Sequence, residues 1–116
     1  MKSRKKKVAI KPVDGFSFKG VIVDETKTKI GKEFYDLYYY KYNEYNINSA
    51  KIVTIIEELS FGRNTKIMIS IDNNVVYEFL ARPDQEYIES MVQSSVYQTY
   101  QYLRQLENQL KSFTQY

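Results

Sequence analysis

Lys66-Ile67-Met68-Ile69-Ser70-Ile71-Asp72-Asn73-Asn74-Val75-Val76-Tyr77-Glu78-Phe79-Leu80 is the stretch whose reading decides the fold. Isoleucines at every second position put one apolar face on a strand, because successive strand side chains point to opposite sides. Asparagine tolerates the left-handed backbone that a tight hairpin turn needs, and two Asn lie between the runs. The stretch therefore predicts a β-hairpin.

Working outward, Arg82-Pro83-Asp84 closes the second strand, and a long helix is predicted to about Lys111. Asp84 is the expected N-cap, and Glu86 and Glu89 suit the positive end of the helix dipole. Val96, Leu103 and Leu110 interleave with Thr99, Leu106 and Phe113 at spacings of three and four, as in a coiled-coil seam. Packing on the sheet and contact with another subunit both satisfy that seam.

Upstream of the hairpin, Ala50 to Glu58 reads as a strand. Its run Ile52, Val53, Ile55, Ile56 predicts cover on both faces near the middle. Between this strand and the hairpin, Ser60-Phe61-Gly62-Arg63-Asn64 reads as a loop carrying an aromatic ring and a cation. A helix is expected from about Lys29 to Tyr45, capped by Thr26 or Thr28. Ile30, Phe34, Leu37 and Tyr38 would share its buried face, and the spacing leaves Tyr42 open between that face and the surface. Val21-Ile22-Val23 would be a short first strand. The order β-α-β-β-β-α gives an α+β domain: a four-stranded, mainly antiparallel sheet packed with two helices.

Residues 1–19 form an expected flexible basic arm, and 20–116 a single domain. Six of the 17 basic residues (Lys2, Arg4, Lys5, Lys6, Lys7 and Lys11) lie in the first eleven positions, ahead of all 14 acidic ones. The body is thus mildly acidic, unlike a nucleic-acid-binding body with its own basic face. A solvated tail and a docking element for acidic partners or lipid both fit the arm. The N-terminus has the charge of a signal-peptide start without its apolar region, which fits a cytosolic protein or a mature chain restarted at Met1.

With no cysteine and no histidine, thiol nucleophiles, imidazole bases and Cys/His zinc sites are excluded. The four glycines are too dispersed for a phosphate-binding loop. Glu57 and Glu58 are adjacent on a strand, so they face opposite sides and cannot share a substrate. No catalytic, cofactor or metal site is expected, and no run is apolar enough for a transmembrane segment. The unusual feature is tyrosine: 12 in all, with Tyr35, Tyr38, Tyr39, Tyr40, Tyr42 and Tyr45 in one helix. One helix face cannot bury six rings, so some either cover the sheet edge or make an interface. Tyr39 and Tyr42 are the candidate interface pair, expected to be partly exposed, with Phe61 and Arg63 as the second candidates. Phe34 is assigned to the core. No nucleic-acid partner is expected, because the strands lack the aromatic pair that stacks bases.

The run from Gly20 through Ile30-Gly31-Lys32-Glu33-Phe34-Tyr35 resembles the opening of the CsgE family, where a short strand leads into an Ile-Gly-x-Asp/Glu-Phe-Tyr helix. The hairpin from Ile67 to Pro83 is similar too, and Phe61-Gly62 stands where the family tends to have Trp-Gly. The resemblance covers about residues 20–110 in one register. The chain departs from it in having no Trp; Tyr42 occupies a helix position often held by Trp. The resemblance implies a periplasmic accessory factor of curli secretion that is a homo-oligomer. Its implied partners are the outer-membrane curli secretion channel (CsgG-type), which it caps, and unfolded curli subunits (CsgA-type), which it binds. The alternative is a small nucleic-acid or anionic-lipid binding module acting through the basic arm.

Overall fold

The computed structural model describes residues 21–47, 49–60, 62 and 64–114. Its elements follow the expected order: β1 (Val21–Glu25), α1 (Lys29–Glu44), β2 (Ile52–Leu59), β3 (Thr65–Ile71), β4 (Asn74–Leu80) and α2 (Gln85–Thr114). The four strands lie in sequence order across one sheet. β1 pairs parallel to β2, as a strand–helix–strand crossover dictates. The β2–β3 and β3–β4 pairs are antiparallel. The basic arm lies outside the described residues.

The hairpin turn is Asp72-Asn73, with φ of 49° and 73°. Two successive left-handed residues are what a two-residue type I′ turn requires, because its twist matches that of the flanking strands. A register shift between Ile69 and Ser70 places one extra β4 residue near Val76.

Register sorts the strand side chains into two faces. Val53, Ile55 and Glu57 align with Ile71, Ile69 and Ile67, and the last two with Tyr77 and Phe79. Both helices lie over this inner face: Phe34 of α1 meets Phe79 at 5.0 Å between ring centres, and Tyr77 reaches the Met91 sulfur of α2. Ile55, Ile67, Ile69 and Ile71 of this face, with Val53, Phe34 and Val96, are fully buried.

The outer face carries Val21, Val23, Ile52, Ile56, Met68 and Val75, and no described element stacks on it. The expectation that β2 is covered on both faces is corrected here. Ile52 is 47% exposed and Ile56 half-buried, because both helices occupy the same side of the sheet. The β2 run is apolar for another reason: its outward residues shelter beside Val21, Val23 and Met68 in neighbouring strands.

At 30 residues α2 is about 45 Å long, against about 26 Å for the eight-residue β2. Val96, Thr99 and Leu103 are buried against the body, Leu106 is half-buried and Leu110 exposed. The first half of the predicted seam is therefore packing within the chain. Asp84 accepts from the Tyr87 amide at 3.1 Å, as an N-cap should.

Candidate interaction surface

The surface offered by α1 depends on how the helix is seated, and one buried carboxylate does much of that. Glu57, on the inner face of β2, is fully buried. One of its oxygens accepts from the amides of Lys27 at 2.6 Å and Thr28 at 2.8 Å. The other accepts from the hydroxyls of Thr28 at 2.6 Å and Thr65 at 2.8 Å. Thr28 in turn accepts from the Gly31 amide at 3.1 Å and is the N-cap of α1. Among the described residues Glu57 has no ion pair. Its charge is met by neutral donors at the positive end of α1. Burial alone would raise its pKa, yet the hydrogen bonds from Thr28, Lys27 and Thr65 outweigh burial and hold it below the ordinary carboxylate value.

Gly31 fits this arrangement. A Cβ there would run into Glu57 Oε1 and lie 2.8 Å from Glu57 Cδ and 3.0 Å from Thr26 Cβ. Only glycine lets the first turn of α1 settle onto the carboxylate.

Seated this way, α1 divides its tyrosines by angle. Phe34, Tyr38 and Tyr42, four residues apart, stack down the inner stripe with successive ring centres 5.8 Å apart. The Tyr38 hydroxyl meets Thr99 Oγ1 of α2 at 2.7 Å. Tyr35 and Tyr45 are half-buried; Tyr45 lies 5.3 Å from Tyr100 on α2. Burial pushes the Tyr35 pKa up to about 12, with Asp24 adding to it. Tyr39 stacks on Tyr35 at 6.2 Å and is 37% exposed, while Tyr40 is 68% exposed.

Of the four residues singled out from the sequence, Tyr39 is therefore open to solvent. The expectation that Tyr42 is partly exposed is corrected: its ring is 2% exposed and lies against Tyr38. Four residues separate it from Tyr38, so the helix repeat turns it inward with the core stripe. Burial pushes its pKa up to about 12, and its hydroxyl has no hydrogen-bond partner among the described residues. Phe61 and Arg63 lie outside the described residues. The Gly62 between them has φ 70°, and Ser60 N–H donates to Asn64 C=O across the loop at 2.9 Å.

Tyr40 belongs beside Tyr39 as a candidate contact, and the sequence signal was there, since it falls outside the inner stripe. Tyr97 on α2 was not foreseen. It is 49% exposed, and its hydroxyl accepts from Gln101 at 2.7 Å. The described residues hold no group of three acidic side chains placed to bind a metal ion, and none of their helices is long and apolar enough to cross a membrane. What the surface offers is ring area with hydrogen-bonding tips, suited to protein contact.

Comparison with known proteins adds one match. The family model described as curli assembly protein CsgE matches residues 18–115. No curated protein matches the chain.

Proposed function

From the premise that this chain belongs to the CsgE family of curli assembly proteins, we propose that it is a non-enzymatic periplasmic accessory factor of curli subunit secretion. It associates with itself, caps the curli secretion channel (CsgG-type) and holds unfolded curli subunits (CsgA-type). The family match over nearly the whole chain carries this reading. Tyr39 and Tyr40 support it, because exposed tyrosines combine large contact area with little conformational-entropy loss on binding. Tyr42, 2% exposed in the single chain, lies beneath that surface against Tyr38, whose hydroxyl meets Thr99 of α2. Phe61 and Arg63 remain the proposed second contact, an aromatic and a guanidinium being common at interface centres.

Sedimentation of the purified chain, alone and with the channel, tests the proposal. Species larger than a monomer are expected, with channel binding that survives deletion of residues 1–11. A chain that stays monomeric at high concentration and modest salt, and ignores the channel, defeats the reading. If deleting residues 1–11 abolishes the main activity, and that activity weakens steeply with salt, the arm-based nucleic-acid or lipid reading replaces it.

A further inference from the structure

The outer face of the sheet is the largest feature that the proposed function leaves unused. At its centre Met68 and Ser70 are buried, Val23, Thr54 and Ile56 are half-buried, and Val21, Ile52, Val75 and Leu80 are exposed around them. Register places Glu25 beside Ile56, Ile56 beside Met68, and Met68 beside Glu78. The next row holds Glu58, Lys66 and Leu80. The face thus joins an apolar middle to an acidic end: three exposed carboxylates against a single ammonium, Lys66, which already lies 3.7 Å from Glu78. Contiguous apolar area of this kind on a small domain marks a contact surface.

The chain carries a complementary sequence of its own. Residues 1–11 hold six cations and no acidic residue, with Val8 and Ile10 among them. They are tied to this face through Val21, whose side chain belongs to it. The ten residues from Lys11 to Val21 can span up to about 33 Å when extended. Four strands are only about 14 Å across between the outer axes, so the tether can bring the cations to any row of the face. A tether this short also holds them at roughly millimolar effective concentration. A second copy's cations, at micromolar protein, compete poorly against that.

We propose that the open face of the sheet, with Glu25, Glu58 and Glu78 at one end, is the docking surface for the lysine-rich segment Lys2–Lys11 of the same chain. The carboxylates meet the cations, while the apolar middle receives Val8 and Ile10. Engagement of this kind gives the basic segment a site on the protein itself, in competition with anionic partners, and it lies across the sheet from Tyr39 and Tyr40. Attraction between exposed charges is screened over about 10 Å at 0.1 M salt, so docking weakens as salt rises.

Because the chain has no cysteine, Ser3→Cys offers a single site for a nitroxide spin label on the full-length protein. Paramagnetic broadening of amide signals then reports what the segment approaches. Broadening is expected at Thr54, Ile56, Met68 and Ser70 and not at Tyr39, Tyr40 or Tyr97. It should fall at least severalfold in the triple variant Glu25→Gln, Glu58→Gln, Glu78→Gln, and again at 0.5 M salt. Mixing spin-labelled chain without ¹⁵N with ¹⁵N chain lacking the label should leave the signals sharp. No broadening of the sheet, or broadening centred on the helices, overturns the proposal. Broadening that persists in the mixed sample assigns the site to a second copy and overturns it as stated; broadening indifferent to the three carboxylates overturns its chemistry. The glutamines change charge on an exposed face, and an unchanged amide spectrum of the inner-face residues confirms that the variant is folded.

Discussion

Gly31→Ala gives the sharpest test of how α1 is seated, because two physical effects oppose each other at that position. Intrinsic propensity favours alanine over glycine in a helix by up to about 1 kcal/mol. Against this, the added methyl would occupy the space of Glu57 Oε1. That oxygen takes the amides of Lys27 and Thr28, so moving the carboxylate away sacrifices at least those two bonds. Hydrogen bonds to charged groups contribute about 1.5–3 kcal/mol each, for a loss of about 3–6 kcal/mol. The net cost is then about 2–5 kcal/mol after the helix gain. In a domain of this size each kcal/mol moves Tm by roughly 4 °C, so a fall of at least about 8 °C is expected by calorimetry. The same change in a Glu57→Ala background should lose most of its penalty and move toward neutral, since only the propensity gain and the 3.0 Å approach to Thr26 Cβ remain. That relief in a double-mutant cycle isolates the contact. If Gly31→Ala raises Tm in the wild-type chain, or shifts it equally in both backgrounds, the seating argument is refuted.

The other expectations concern single side chains. Glu57 has its folded pKa below the ordinary 4.5, so its stabilisation is complete above that value and is lost as pH falls through the folded pKa. The stability gap between wild type and Glu57→Gln, about 2 kcal/mol at neutral pH, should therefore narrow below pH 4.5 in denaturant titrations. Phe34 is fully buried, and Phe34→Ala should cost on the order of 3–5 kcal/mol by the same measurement. Tyr38→Phe removes the bond to Thr99 and should cost about 1 kcal/mol, whereas Tyr42→Phe, deleting a hydroxyl with no partner among the described residues, should be neutral or stabilising. Tyr39→Ala should leave Tm within a few degrees of wild type while shifting sedimentation toward smaller species; a large fall in Tm with unchanged sedimentation would return that ring to the core.

Much of this architecture was legible because its signals are local. The hairpin needed only alternating isoleucines and two residues that accept positive φ, and Asp72 and Asn73 supply that turn. The helix starts were legible through Thr28 and Asp84, whose oxygens serve amides three residues on. The role of Glu57 was not. Its donors come from Lys27, Thr28 and Thr65, up to 30 residues away, and no spacing rule links them. In sequence it reads as half of an acidic pair on a strand, and alternation established only that Glu57 and Glu58 part company. The double-sided cover expected for β2 failed for a related reason: apolar content does not say which sheet face the helices take.

Tyr42 shows how two sequence arguments at one position are settled. The surplus of tyrosines on one helix and the three-residue spacing from Tyr39 drew it toward an interface, while the four-residue spacing from Phe34 and Tyr38 drew it inward. Periodicity governs, because a helix places Phe34, Tyr38 and Tyr42 in one row whatever an outer partner does, and that row faces α2 through Tyr38 and Thr99. Each residue advances about 100° around the helix, so Tyr39 and Tyr40 stand at successive angles away from that row. A partner that meets α1 from outside encounters those two rings first. A large residue at position 42 then bears on any such contact only through the core row it completes beside Tyr38. By that argument Tyr39→Ala weakens association with the fold intact, while Tyr42→Ala weakens association only in step with the loss of the folded chain.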